Sequence, residues 1–358
     1  MDDRLSRPQQ ARLDFVESIK HLVATRLTPQ LRRDYELWAA GKPEALLRDH
    51  AVMEARFGHD PVYQAGRGLA RISQEAMWRQ VRAGYEPRRA EIEARLDQPP
   101  AGVSLRLAPD LVAPAYFTDT EFHLQTGGFH AEKLAGLIYE TGVATYSMHR
   151  YGKRMDEMGR ALLSVLPKRD YKRILYLGCG PGYKGYPIQD AFPGADFHAA
   201  DISAPMLRYA AQRAASHGRD ITFHQTNAEA PDLPEGTFDL VFCILLLHEI
   251  PIAAIRNVVH AAHRLLAPGG VLANAELPSY AAVDPLSAYL LDWDTDHNGE
   301  PFWRDYHALD LEGLYREVGF TDVHTGESVG AGGQDSKAYV GRFRYHITLG
   351  TKAGDDAE

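Results

Sequence analysis

Residues 173–182 read RILYLGCGPG: a short apolar run that breaks into glycines at Gly178, Gly180 and Gly182. Four to eight apolar residues bounded by turn residues are the mark of a strand buried on both faces. The glycines permit positive φ and let a ligand come close to the backbone with no Cβ in the way. Outward from this stretch the texture repeats. ADFHAAD (195–201) reads as a second strand and APMLRYAAQRAAS (204–216) as a helix. ITFHQTN, FDLVFCILLL and GGVLANAEL are further strands, with IAAIRNVVHAAHRLLA (252–267) between the last two. Strands alternating with helices predict a parallel sheet covered on both faces. The end departs from that rhythm. FTDVHT and YVGRFRYHITL follow each other without a long helix, and in the second Phe343, Tyr345, Ile347 and Leu349 alternate with polar residues. The expected fold is therefore α/β, a mostly parallel, doubly wound, seven-stranded sheet with an antiparallel C-terminal pair, preceded by a helical segment.

In open α/β sheets ligands bind beyond the carboxyl ends of the strands, near the switch in strand order. The glycine loop stands at such an end, and Asp201 ends the next strand, where a carboxylate can accept hydrogen bonds from both hydroxyls of a ribose. A dinucleotide site shares these two features. However, GxGxxG counted from the strand would place its third glycine at Tyr183, and the match Gly180, Gly182, Gly185 starts late and contains Pro181.

Downstream, NAEAPDLPEGTFDLVFCILLLHEI and HRLLAPGGVLANAEL complete an ordered set: glycine loop, strand-end Asp, NA dipeptide, FDhVh strand and PGG turn. Over residues 171–349 this set resembles the class I S-adenosylmethionine-dependent methyltransferases. The resemblance implies S-adenosyl-L-methionine as cofactor. It implies that Gly178, Gly180 and Gly182 cradle the methionyl part and that Asp201 holds the ribose. Ile202 and Met206 would cover the adenine, Asn227 and Ala228 would meet its edge, and Ile244 and Leu245 would line the far side. Asn227 stands where many relatives carry Asp, and Gly185 and Pro187 predict an irregular first turn in the helix after the loop.

The reaction this implies is methyl transfer to an O, N or C atom of a small molecule by positioned in-line attack, with a base where the acceptor carries a proton. His248 and Glu249, after the FDLVFCILLL strand, are the catalytic candidates, with Glu249 orienting the imidazole; Glu276 is a weaker one. The alternative is a cofactor-binding partner subunit, or a protein-modifying methyltransferase that recruits a macromolecule through its N-terminal helices.

The chain carries 39 Lys and Arg against 48 Asp and Glu, a formal charge of −9. Residues 1–150 are balanced at 20 of each, so the excess lies in the catalytic half, which disfavours a nucleic-acid partner. Two cysteines, Cys179 and Cys243, both fall in core segments, against a disulfide framework or a cysteine metal site. No basic-then-apolar leader opens the sequence, and the run 240–247 is too short to span a bilayer. A cytoplasmic protein with no membrane partner is the expectation.

Three regions are expected. Residues 1–116 form a helical accessory region ending in a Pro-rich linker, 98–116, with RLDFVESIKHLVATRL placing Leu13, Val16, Ile19 and Val23 on one face that could build a homodimer. Lead-in helices fill 117–170. The core is 171–358, with a lid insertion at 278–308 whose aromatics, Tyr280, Tyr289, Trp293, Phe302, Trp303 and Tyr306, would set substrate specificity. No metal site is assigned. DTDHNGEPFWRD (294–305) outlines a calcium loop but lacks its final Glu, and His123 and His130 in FHLQTGGFH lack partners that the sequence names.

Overall fold

The computed structural model describes residues 4–148, 154–329 and 344–354. Among the described residues, eight strands form one sheet: β1 Ser104–Arg106, β2 Arg173–Leu177, β3 Asp196–Asp201, β4 Thr222–Gln225, β5 Phe238–Ile244, β6 Leu266–Glu276, β7 Phe320–Val329 and β8 Arg344–Lys352. Their order is β1-β4-β3-β2-β5-β6-β8-β7, parallel from β1 through β6 and antiparallel at β6–β8 and β8–β7. The expected seven strands are present, and an eighth joins them. It lies in the stretch expected to be a linker, where Ser104 pairs with Thr222 and Leu105 with Phe223. Three residues among prolines are too few to show an alternation. Of the alternating residues read at the end of the sequence, Phe343 lies outside the described residues, whereas Tyr345, Ile347 and Leu349 are buried.

Side chains alternate across the sheet because successive Cβ atoms point to opposite faces. On one face Ile174 and Tyr176 of β2 meet Leu240 and Phe242 of β5, with the rings of Tyr176 and Phe242 stacked at 4.5 Å. On the other, Leu175, Leu177, Val241 and Cys243 pack under Ile255, Val258 and Ala262 of the helix Ile252–Leu265. Asp239, the half-exposed member of β5, accepts hydrogen bonds from the backbone N–H groups of Lys172 and Arg173 and so pins the start of β2.

The N-terminal helices are not separate from this core. Leu13 and Val16 of Arg7–Leu22, and Met77, Trp78 and Val81 of Pro61–Tyr85, belong to the same apolar cluster as Ile174 and Tyr176. The apolar face expected to seek a partner is thus covered within the chain. A further cluster joins Leu31, Tyr35, Phe57 and Tyr63 to Leu286, Tyr289 and Leu290 of the lid helix Pro285–His297. That helix runs through Asp294 and Asp296, and Asp296 pairs with Arg304, so residues 294–305 do not form a calcium loop. No helix among the described residues is long and apolar enough to cross a membrane.

Candidate functional site

The strand order reverses at β2 and β5, and a pocket of about 880 Å³, part of it open to solvent, lies beyond their carboxyl ends. Gly178, Gly180, Asp201, Ile202, Met206, Asn227, Ala228, Ile244 and Leu245 all line it. Gly182 does not. Its φ is +80°, and a Cβ there would touch Ala210 and Phe223, so it shapes the loop from beneath. Gly180 has φ +51° and open space where a side chain would stand. The turn Tyr183–Gly185 is 3₁₀ and the α-helix starts only at Tyr186, the irregularity that Gly185 and Pro187 predict.

Asp201 is the fixed point of the loop. Its Oδ2 accepts the Gly180 N–H at 2.7 Å and its Oδ1 the Ser203 N–H at 2.8 Å. Burial pushes its pKa up, and the backbone donors oppose that rise. A glycine cradle without Cβ atoms and a carboxylate held at its rim fit the nucleoside and amino-acid ends of S-adenosylmethionine. Asn227 accepts the Glu229 N–H, and Glu229 in turn accepts from Tyr116 at 2.7 Å, tying the pocket rim to the segment before residue 130.

The far wall of the pocket is aromatic: Tyr116, Phe117, Phe122, Phe129 and Tyr139. None of the six lid aromatics is among its lining residues. Tyr289 stacks on Tyr63 at 5.3 Å, and Trp303 and Tyr306 pack edge-on against His248. They fasten the lid, and the N-terminal half supplies the wall. Sequence reasoning missed this wall because Tyr116, Phe117, Phe122 and Phe129 come from short, irregular segments with no periodic signal, and the pattern of the helix Ala135–Tyr146 does not show that its Tyr139 meets them.

The two catalytic candidates stand one behind the other. Glu249 lines the pocket, whereas His248, 3% exposed, lies behind it. Glu276, at the end of β6, holds the turn in place. Its Oε1 accepts the Leu246 and Leu247 N–H groups at 2.7 and 2.6 Å, and its Oε2 lies 2.6 Å from His248 Nδ1. His248 Nε2 is 3.3 Å from Glu249 Oε1, and the same oxygen is 2.9 Å from Nε2 of His123. His123 Nδ1 meets Glu300 Oε1. Five ionisable side chains therefore alternate from β6 to the lid. Burial disfavours charge on both imidazoles, but the glutamates outweigh it, raising His248 to about 9 and His123 well above the ordinary histidine value. Burial also pushes Glu300 up to about 8, while the two imidazoles hold Glu249 below the usual carboxylate range. Lys184 faces the same pocket, 3.3 Å from the Tyr139 hydroxyl, and burial lowers it to about 8. His130 lies against Phe117 and outside this chain of groups. Lys184, Tyr139 and Glu300 carried no sequence signal of their own, although Glu300 falls inside the stretch that outlined a calcium loop.

A family model described as a methyltransferase domain matches residues 174–270. An uncharacterised methyltransferase of Synechocystis sp. is 32% identical over 155 residues, 42% of this chain and 68% of that protein. A demethylmenaquinone methyltransferase of Thermus thermophilus is 34% identical over 107 residues, 30% of this chain and 48% of that protein. A malonyl-[acyl-carrier protein] O-methyltransferase of Enterobacter lignolyticus is 38% identical over 114 residues, 32% and 42% of the two chains. The chain spans about half the length of the curated relatives it matches. The phosphoethanolamine N-methyltransferase 2 of Haemonchus contortus aligns with a TM-score of 0.46 and 16% identity over 68% of this chain and 61% of that one. The matched segment holds the glycine loop, Asp201, Asn227 and the β5 turn in the order that the sequence predicts, and the chain belongs to the class I S-adenosylmethionine-dependent methyltransferases.

Proposed function

We propose that this chain transfers a methyl group from S-adenosylmethionine to an O, N or C atom of a small molecule held against the aromatic wall. When bound, the cofactor supplies an electrophilic methyl on a sulfonium. Asp201 and Gly178 and Gly180 hold it, Ile202, Met206, Asn227, Ala228, Ile244 and Leu245 surround its nucleoside, and Gly182 shapes the loop beneath. Tyr116, Phe117 and Phe129 orient a flat acceptor and exclude water, which favours in-line attack. Glu249 faces the acceptor and orients it by accepting a hydrogen bond, and His248, backed by Glu276, keeps that carboxylate in position.

The observation that carries this reading is the enclosure of one pocket by both the cofactor loop and the aromatic wall. Such a pocket suits a small acceptor better than a protein-modifying or partner-subunit role. The test is transfer of labelled methyl to a small-molecule extract, with the product identified by mass spectrometry. Label should enter a compound of low mass. Label found only in protein would contradict the reading and support the macromolecular alternative.

A further inference from the structure

His123, Glu249 and Glu300 come from three separate segments: the turn after Glu121, the turn after β5 and the turn that follows the lid helix. One donor atom from each lies within 4.8 Å of the others. We propose that these three side chains bind a divalent first-row transition-metal ion, of the manganese, iron(II) or zinc kind, at the wall of the pocket. The proposal does not depend on the methyl-transfer reading.

One imidazole with two carboxylates is a donor set for such ions, whereas calcium and magnesium favour oxygen alone. Hydrogen bonding within the cluster leaves it incomplete. Glu249 Oε2 and Glu300 Oε2 are both buried with no hydrogen-bond donor among the described residues, and Glu300 is 1% exposed. Buried polar atoms in native proteins nearly always have partners, and these two oxygens belong to carboxylates on either side of a single imidazole. A cation answers both needs at once. A second tier of support is also in place. The His248 imidazole, with Glu276 on its Nδ1, reaches Glu249 through Nε2, as outer partners orient a metal-bound carboxylate.

The backbone is built to bring the three together. His123 has φ +56° and Leu124 φ +62°, a region that non-glycine residues rarely adopt. Trp78 Nε1 and Gln74 Nε2 both donate to the His123 carbonyl, at 2.5 and 3.0 Å, and hold it there. On the other side Gly299, φ +71°, lets the lid turn press against this segment. A Cβ on it would stand 2.7 Å from the Glu121 carbonyl oxygen and 3.1 Å from the Leu124 nitrogen. Strained backbone held from both sides is a feature of functional sites. Because Glu249 lines the pocket, a bound ion would keep a position open toward whatever occupies it, as catalytic metal sites do.

The test uses the full chain, stripped with a chelator and dialysed. Cobalt(II) serves as a spectroscopic probe, and manganese(II) and zinc(II) are titrated by calorimetry. One equivalent should bind per chain, with visible cobalt bands. Glu300→Gln, close in volume, should weaken binding at least tenfold while its far-ultraviolet circular dichroism stays that of the unaltered chain. Glu249→Gln provides the same reading if Glu300→Gln does not fold. Failure of the unaltered chain to bind near one equivalent overturns the proposal. So does binding that both variants leave intact, since the ion would then sit elsewhere. S-adenosylhomocysteine titrated into the same sample separates the two claims. Metal without nucleoside binding contradicts the methyltransferase reading alone, and the reverse contradicts the metal site alone.

Discussion

At Glu249 and His248 adjacent residues take unequal places. The carboxylate lines the pocket and the imidazole is sealed behind it by Glu276 and Trp303. The sequence shows both residues at a strand end but not which one faces the acceptor, because the turn Leu247–Glu249 is 3₁₀ and follows Leu245 at φ +57°. Glu249→Gln should therefore lower the single-turnover rate by about 10²-fold, as the loss of a group that positions the acceptor does. Affinity for S-adenosylhomocysteine should change little. His248→Gln should retain more of that rate than His248→Ala, since an amide can still donate to one of the flanking carboxylates. Equal, normal rates in both His248 variants, with only the melting temperature reduced, would leave His248 a packing residue and no more.

Among the elements, those legible in the sequence are the ones with a long periodic or apolar signal. The run Leu240–Leu247 reads as a buried strand because both faces of β5 are covered, and Asp201 reads as a strand-end acid because β3 ends there. Contacts between distant short segments leave no such trace. His123 and Glu300 are 177 residues apart, and nothing in the spacing joins them. Gly299 marks their meeting point only once the approach to Glu121 is known. Gly299→Ala must relieve a 2.7 Å contact with backbone and adopt φ +71°, which should cost roughly 1–3 kcal/mol. Chemical denaturation measures this cost. An unchanged midpoint would mean that the lid turn does not bear on the His123 segment.

The whole molecule is held as one body by contacts between its helical half and its sheet, which the Pro-rich stretch 98–116 conceals in the sequence. Besides the shared apolar cluster, Arg89, before the Pro-rich stretch, makes two hydrogen bonds of 2.9 Å to Glu132 in the lead-in segment after it, whose side chain is 3% exposed. Burial works against the charge on Glu132, but Arg89 and the Leu134 N–H outweigh it and hold the pKa below its ordinary value of 4.5. A depressed carboxylate contributes stability that is present above its unfolded pKa and is lost as pH falls through the folded one. Glu132→Gln should thus destabilise the protein by roughly 1.5–3 kcal/mol at pH 7. The gap from the unaltered chain should close below pH 4.5, as urea midpoints across pH would show. A gap that stays constant with pH would assign the loss to packing.

The central claim, that the glycine loop and Asp201 bind S-adenosylmethionine, is tested most directly by calorimetric titration of S-adenosylhomocysteine into the full chain and into Asp201→Ala. The account predicts one site per chain, weakened in the variant by roughly 1.5–3 kcal/mol, the value of hydrogen bonds to a charged acceptor. No binding to the unaltered chain, or preference for a nicotinamide dinucleotide, would contradict it.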